Sequence, residues 1–394
     1  MVAVFAVLAT GCGSIARRHP SPDVPAHTVL VPVEESRPPV PARTALVLSG
    51  GGANGAFAAG ILKGWTTTGR RPQFDVVTGV STGALIAIFA FLGPDCDDRL
   101  GEFYIATGER DVFHRRSLLT ALAWGDSLAD PAPLRKRIDD EVTPDFLRRV
   151  AEEHRKGRRL YVATTDLDSK TGVIWDLGAI ASGAAPGRRV LFCNILLASC
   201  SVPAVFPPVP IDVEIDGRIH TELHVDGAVR ANAFLPASVF GVGPNGAAGP
   251  THGRAEVYVV LSGKLAPTRK AVERRVRAVT EEALLGLLAG RQDDDLLKLH
   301  VLCRDVGAGL HVAAVPEEWQ LDDNPLAFDA AKMHELYAKG REMGRSGHWT
   351  SSGLEFSPGE EQVPRGGPKL KAVDRPPPVE DEPFARFFRR LRRK

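Results

Sequence analysis

The chain has 394 residues, of which 44% are hydrophobic and 25% are charged, as in an ordinary globular protein. The net charge of +1 disfavours nucleic acid as a partner. The five cysteines have neither the spacing of a zinc site nor the density of a disulfide framework, so buried free thiols are predicted. No apolar run reaches the roughly 18 residues of a membrane-spanning helix.

The N-terminus combines a short apolar run with a cysteine. Residues 1–11, MVAVFAVLATG, lead into Cys12 and resemble a bacterial lipoprotein signal peptide, with Cys12 as the lipidated first residue. The pattern departs from that signal because no lysine or arginine precedes the apolar run and Ala9 stands where leucine is usual. We expect a lipoprotein anchored to a membrane of the bacterial cell envelope. The alternatives are an incidental cysteine in a disordered N-terminus, and a soluble protein that is cytoplasmic or secreted.

Two strand–turn–helix units follow a linker. Residues 12–43 are rich in proline and arginine without periodicity, which predicts a disordered linker. Thr44 begins the strand TALVLS, which precedes the glycine-rich turn GGGANG and the helical segment AFAAGILKGW. A second strand, FDVVTG, leads through Ser81 into the apolar helix ALIAIFAFLG. Two such units in succession predict parallel strands with helical crossovers, so the predicted fold class is α/β with a parallel-rich sheet.

The rest of the chain continues the alternation of strands and helices. Strands are predicted for RRLYVATTDL, GVIWDLG, IHTELHVDG and AEVYVVLSG. Helices are predicted for RRVLFCNILLAS, for residues 269–288 and for FDAAKMHELYAKGREMG. The predicted domain therefore covers residues 44–350, with a motif-bearing core at 44–240.

The C-terminal segment has a different composition. Residues 351–394 are rich in proline, glycine and charge, which predicts a disordered tail. Near its end, four apolar residues recur at helical spacing among basic ones: Phe384, Phe387, Phe388 and Leu391. This stripe is typical of a helix on a membrane surface, and a solvated basic tail is an equal alternative.

Ser81 is the candidate nucleophile. The sequence Gly79-Val80-Ser81-Thr82-Gly83 matches the nucleophile elbow G-x-S-x-G. A tight strand-to-helix turn strains the backbone, and glycines on both sides remove Cβ atoms that would clash. The serine then lies at the N-terminus of the next helix, where the helix dipole favours negative charge. A structural turn residue is the alternative interpretation.

The glycine-rich turn is a candidate oxyanion hole. Its backbone N–H groups can point at one position, and its lack of side chains leaves the approach of a substrate open. The glycines are Gly50, Gly51, Gly52 and Gly55. They also satisfy the dinucleotide fingerprint G-x-G-x-x-G, which requires an acidic residue at the end of the next strand. Asp75 opens that strand instead of closing it, so no nucleotide is expected.

Asp226 completes a set of three motifs. It follows an alternating segment in HVDGAVRAN and precedes Gly227, which predicts a position at the end of a strand. The order GGGxxG, GxSxG and DG[GA] is similar to that of the patatin-like phospholipases. The segments ASCSVPAVFPPV and VATTDLDSKTGVIWDL also resemble parts of that family. The resemblance covers Thr44 to about Pro236 and implies a three-layer α/β sandwich, a Ser–Asp dyad without histidine, and no cofactor.

The resemblance also implies roles for individual residues. Ser81 would be the nucleophile, Asp226 the general base, and the N–H groups of Gly50, Gly51 and Gly52 the oxyanion hole. The implied function is a serine acyl hydrolase that cleaves fatty-acyl esters of phospholipids through an acyl-Ser81 intermediate. A lysophospholipase or general carboxylesterase of the same chemistry is one alternative. A membrane-tethered lipid-binding protein without activity is another.

Several polar residues have a less specific interpretation. Asn54 stands where the family often has arginine or lysine, which could alter headgroup preference. Three histidines are predicted to be surface or satisfied core residues and not members of a triad: His224, His252 and His300. An acidic run suggests a metal cluster but is more typical of a solvated helix start, so no metal is expected: Asp293, Asp294 and Asp295. Asp166 and Asp168 are predicted turn residues.

Overall fold

A mixed sheet of eight strands forms the middle layer of the protein. The computed structural model describes residues 41–115, 127–215, 218–242, 254–265, 272–321, 324–347 and 349–350. The predicted signal peptide with Cys12, nearly all of the predicted linker and the C-terminal tail lie outside these residues. The strands are β1 (Thr44–Leu48), β2 (Val76–Val80), β3 (His114–Arg115), β4 (Ala129–Asp130), β5 (Arg159–Asp166), β6 (Thr171–Asp176), β7 (Val209–Ile215), β8 (Arg218–Asp226), β9 (Glu256–Val260) and β10 (Gly309–Ala313).

Helices connect the strands and cover the sheet. They are α1 (Gly55–Thr66), α2 (Thr82–Leu92), α3 (Asp97–Ile105), α4 (Ala132–Glu141), α5 (Pro144–Arg155), α6 (Leu177–Ser182), α7 (Arg188–Ser199), α8 (Val276–Val306) and α9 (Ala330–Ser346). Helix α2 has the sequence TGALIAIFAFL, which is apolar on every side, and nearly all of its residues are buried. Such a helix is stable only when protein surrounds it, so α2 forms part of the core.

The sheet order is β10-β9-β1-β2-β5-β8-β7, and β6 pairs with β5 outside this path. The first five strands of that order run parallel to one another. Strands β6 and β8 run antiparallel to β5, and β7 runs antiparallel to β8. The predicted α/β class with a parallel-rich sheet between helical layers is therefore confirmed. The remaining pair, β3 and β4, forms a small separate ribbon.

The register on β5 brings the ends of two strands together. Strands β2 and β6 both pair with residues 161–163 of β5, so they occupy opposite edges of that strand. Strands β6 and β8 both pair with residues 164–166, so β8 lies on the same edge as β2. Val80 is registered with Ala163, and Asp226 with the next residue, Thr164. The C-terminal ends of β2 and β8 therefore meet at neighbouring positions of β5.

The predicted elements and the observed ones differ in several places, and helices α3, α4, α5 and α6 and the short strands β3 and β4 were not predicted. The four later strands are present as β5, β6, β8 and β9, but β7 and β10 were not predicted. Helix α8 continues to Val306, so the prediction of a helix over 269–288 was too short at its C-terminal end. In the described residues, no helix has the length and apolar character needed to cross a membrane. Four cysteines are free and buried, as predicted: Cys96, Cys193, Cys200 and Cys303.

Candidate active site

The turn between β2 and α2 holds Ser81 in a strained conformation. Ser81 has φ 53° and ψ −126°, in a region of backbone space that residues with a side chain rarely adopt. A Cβ on Gly79 would lie 2.4 Å from the Gly83 carbonyl oxygen, and one on Gly83 would lie 2.3 Å from the Leu48 carbonyl oxygen. The backbones approach too closely for any residue but glycine at these positions. The side chain of Ser81 therefore sits directly before the N-terminus of α2.

Asp226 ends β8 and contacts Ser81. The Ser81 hydroxyl lies beside the Asp226 carboxylate and lowers the pKa of that group. Asp226 is 2% exposed and Ser81 is 9% exposed. The Asp226 Oδ1 atom also accepts a 2.8 Å hydrogen bond from the Ala228 N–H. The structure thus brings together the two side chains that the sequence predicts as a dyad.

Burial controls the charge of Asp226. It raises the pKa of the carboxyl group from 3.8 to about 7, although the hydrogen bond from the Ala228 N–H and the nearby Ser81 hydroxyl lower the pKa. A small apolar cluster lies beside the dyad and consists of Val80, Ala163, Ala228 and the partly buried Phe234. A carboxylate with a pKa near 7 is a stronger base than an exposed one and is still ionised at neutral pH in a large fraction of molecules.

The glycine-rich turn between β1 and α1 lies next to Ser81. A Cβ on Gly50 would be 3.2 Å from the Ser81 Cβ. The Gly50 N–H, one of the three predicted oxyanion donors, instead donates a 3.2 Å hydrogen bond to the Asn232 carbonyl. Among the described residues, the N–H groups of Gly51 and Gly52 have no acceptor. Gly52 has φ 56°, and a Cβ there would lie 2.2 Å from the Pro325 carbonyl oxygen, so this position also requires glycine.

The segment that binds Gly50 is fixed by Asp295, which was predicted to be solvated. Asp295 is 2% exposed, and its Oδ2 accepts hydrogen bonds from the N–H groups of Asn232 at 2.6 Å and Ala233 at 3.3 Å. The run from Asp293 to Asp295 lies inside α8, so the prediction of a solvated helix start was wrong. Helical spacing could have indicated this, because Asp295 lies beside buried Leu296 and one turn before buried Leu299.

The remaining motif glycines serve packing. A Cβ on Gly55 would lie 2.3 Å from the Thr82 Oγ1 atom, and one on Gly227 would lie 2.5 Å from the Ala163 carbonyl oxygen. Gly55 thereby allows α1 to approach the residue that follows Ser81, and Gly227 allows the turn after Asp226 to approach β5. Asn54 precedes α1, and its side chain makes no capping hydrogen bond.

His224 is a satisfied core residue, as predicted. It is fully buried, with Nδ1 2.9 Å from the Thr164 Oγ1 atom and Nε2 3.0 Å from a Glu222 carboxylate oxygen. His252 lies outside the described residues, and His300 lies on α8. Asp166 accepts hydrogen bonds from two N–H groups of the β5–β6 turn, in agreement with its predicted turn role. Ligand atoms of Asp166, Glu222 and His224 lie within 4.8 Å of one another, and the hydrogen bonds already made account for this grouping.

Comparison with known proteins identifies the class. The model of the family described as Patatin-like phospholipase matches residues 46–240, which include the end of β1, the serine elbow and Asp226. The chain therefore carries a patatin-like phospholipase domain, the domain of a family of lipid ester hydrolases. No curated protein matches the chain.

Two solved structures are similar to the chain at low identity. One is VipD from Legionella pneumophila, with 12% identity, coverage of 79% of this chain and 68% of VipD, and a TM-score of 0.37. The other is the heterodimeric complex ExoU-SpcU from the type III secretion system of Pseudomonas aeruginosa. The identity is 15%, the match covers 80% of this chain and 53% of that one, and the TM-score is 0.27. The chain thus spans about half of the second structure. At these TM-scores neither likeness adds to the assignment, which rests on the family match.

Proposed function

We propose that this lipid acyl hydrolase cleaves fatty-acyl esters of phospholipids through an acyl-Ser81 intermediate, with Asp226 as general base. The observation that carries the proposal is the position of Ser81 beside a buried carboxylate whose pKa is raised to about 7, at the point where the ends of β2 and β8 meet. The family match supports a lipid ester as the substrate class. The strained serine supports the role of nucleophile, because such strain concentrates at functional sites.

Acylation of Ser81 is the first half of the reaction. The Ser81 Oγ atom attacks the ester carbonyl carbon while its proton passes to the Asp226 carboxylate. The carbonyl π electrons move to the carbonyl oxygen, which becomes an oxyanion. Collapse of this tetrahedral intermediate breaks the bond to the alcohol oxygen, which takes the proton from Asp226 as it leaves. The lipid alcohol is released, and the fatty-acyl group stays on Ser81.

The oxyanion needs donors fixed before the reaction begins. We assign this role to the N–H groups of Gly51 and Gly52, since the Gly50 N–H already donates to Asn232. The N-terminus of α2, directly after Ser81, adds a favourable field. In other acyl-transfer enzymes, loss of one such donor raises the barrier by about 3 kcal/mol.

Deacylation repeats the same proton transfers with water. A water molecule gives a proton to Asp226 and attacks the acyl carbon. The second tetrahedral intermediate collapses, the Ser81 oxygen takes the proton back from Asp226, and the fatty acid leaves. One carboxylate therefore acts as base and then acid in each half, which requires a pKa close to the working pH.

Labelling with a fluorophosphonate tests whether the protein has a reactive serine. Wild type and the control Ser182→Ala, which removes an exposed hydroxyl at the end of α6, should be labelled, whereas Ser81→Ala should not. Vesicles of phospholipid, lysophospholipid and triacylglycerol then identify the substrate through fatty-acid release. Release from phospholipid supports the proposal, and release from lysophospholipid or a simple ester alone favours the alternatives. A wild type that binds vesicles but is neither labelled nor active would be a lipid-binding protein.

We also propose that acyl chains on Cys12 anchor the protein to a membrane of the bacterial cell envelope, with the basic C-terminal stripe as a second contact. The support is the resemblance of residues 1–12 to a lipoprotein signal and the spacing of Phe384, Phe387, Phe388 and Leu391. One acyl chain alone gives only weak membrane binding, so two contacts fit stable anchoring.

A further inference from the structure

The C-terminal turn of α7 contacts both members of the proposed dyad. Ser199, the last residue of α7, accepts a 3.0 Å hydrogen bond from the Ser81 N–H through its hydroxyl oxygen. Two residues later, the Ser201 carbonyl accepts a 2.9 Å hydrogen bond from the Asp226 N–H. Both serines are buried. The segment ASCSVPAVFPPV resembles the family, but the mechanism above gives it no role.

The hydroxyl of Ser199 has a single orientation. It donates a 2.8 Å hydrogen bond to the Ala163 carbonyl, so a lone pair on its oxygen can accept the hydrogen bond from the Ser81 N–H. Ala163 is registered with Val80, the residue before Ser81. Its carbonyl oxygen is also the atom against which Gly227 packs, one residue after Asp226. The Ser199 hydroxyl therefore connects the elbow to the position of β5 where the ends of β2 and β8 meet.

The strain at Ser81 gives this connection its importance. A residue stays in a rare backbone conformation only when its surroundings over-determine that conformation. Without the Ser199 oxygen, the Ser81 N–H has no other acceptor among the described residues, and a buried unpaired donor favours rearrangement of the turn. The Ser81 hydroxyl would then move relative to a carboxylate that the Ser201 carbonyl still holds.

We infer that Ser199 is a positioning residue that holds the serine elbow in register with the dyad aspartate, and that the C-terminal turn of α7 sets the separation of nucleophile and base. This inference rests on the proposed function. Ser199 does not touch the substrate, so its loss should lower kcat and leave KM nearly unchanged.

The test compares Ser199→Ala with Cys193→Ala. Both remove one heavy atom from a buried side chain of α7, but the polar groups that act on the Cys193 thiol are Asp139, Arg189 and Arg135 and do not include Asp226. With p-nitrophenyl butyrate as substrate, Ser199→Ala should lower kcat by about 10- to 100-fold, the size expected for a misplaced reacting group. The fluorophosphonate labelling rate should fall by the same factor. Cys193→Ala should keep kcat within about twofold, even with an equal loss of Tm.

Two further variants and one measurement make the outcome decisive. Ser199→Thr keeps the hydroxyl and should therefore recover most of kcat. In Ser199→Ala, the backbone amide of Ser81 should exchange its hydrogen faster than in wild type. A folded Ser199→Ala with kcat within about twofold of wild type overturns the inference, as does an equal loss of kcat in Cys193→Ala. If Ser199→Ala does not fold, Ser199→Cys decides by the same criteria, since a thiol is a weak hydrogen-bond partner. A wild type without labelling or hydrolysis would refute the proposed function itself, whereas an active wild type with an unaffected Ser199→Ala refutes only the positioning role.

Discussion

Replacement of Asp226 by asparagine should abolish turnover and stabilise the protein at the same time. Asparagine has nearly the same shape and keeps an oxygen that can accept the hydrogen bond from the Ala228 N–H. It cannot take the proton of Ser81, so kcat should fall by at least about 10³-fold, the lower range for loss of a general base in a coupled dyad. It also removes a carboxylate whose burial is unfavourable when it is charged.

The gain in stability follows from the pKa of Asp226. Because the folded-state pKa is raised from 3.8 to about 7, the folded protein keeps a proton that the unfolded chain loses across that interval. The favourable contribution of Asp226 to the free energy of unfolding is therefore fully present below about pH 4 and is lost as the pH rises through about 7. At about 1.4 kcal/mol per pKa unit, the charged carboxylate costs the wild type about 4 kcal/mol at high pH. Asparagine does not titrate, so Asp226→Asn does not lose stability in this way as the pH rises.

Urea denaturation of wild type and Asp226→Asn at two pH values measures the effect. The stability difference in favour of Asp226→Asn should grow by about 2.5 kcal/mol between about pH 5 and about pH 8. The fluorophosphonate labelling rate of wild type should rise by about tenfold between about pH 6 and about pH 8, since the carboxylate is the active form. A stability difference that is the same at both pH values would contradict this prediction, because it would show that Asp226 has an ordinary pKa.

Three other substitutions test separate parts of the account. Ser81→Gly should be inactive but more stable than Ser81→Ala by about 1 kcal/mol in urea denaturation, because glycine adopts φ 53° without strain; equal stabilities would contradict a strained elbow. Asp295→Ala should lower the free energy of unfolding by about 2–3 kcal/mol, since it leaves two buried N–H groups unpaired. The control Asp294→Ala, at an exposed neighbouring residue, should change the free energy of unfolding by less than about 0.5 kcal/mol. Similar losses in the two variants would exclude the proposed role of Asp295. Cys12→Ser should move the protein from the membrane to the soluble fraction after cell lysis, and continued sedimentation with membranes would count against lipidation.

The sequence predicts the fold class and the sharp turn at Ser81 well because both depend on local patterns. The apolar runs around Ser81 are long enough to be distinguished as a strand and a helix, and a glycine on each side of the serine indicates a sharp turn. The α/β class follows from two such units. The contact between Ser81 and Asp226 was inferred from a family resemblance, since 145 positions separate the two residues in the chain.

Long-range pairing explains what the sequence did not predict. Gly50 was a candidate donor, but its N–H donates to the carbonyl of Asn232, a contact that no spacing in the chain indicates. The roles of Ser199 and Asp295 likewise depend on elements that meet only in the folded protein. Strand β7 contains Pro210, Asp212 and Glu214, so its pairing with β8 decides its conformation more than its own propensity does.

The most direct measurement is the site of covalent modification after reaction with a fluorophosphonate, mapped by tandem mass spectrometry on the full-length protein. A serine becomes reactive here only through the carboxylate that accepts its proton. We expect one adduct, on the peptide that contains Ser81, and its strong depletion in Asp226→Asn. An adduct on another serine, or undiminished modification of Ser81 in Asp226→Asn, would contradict it.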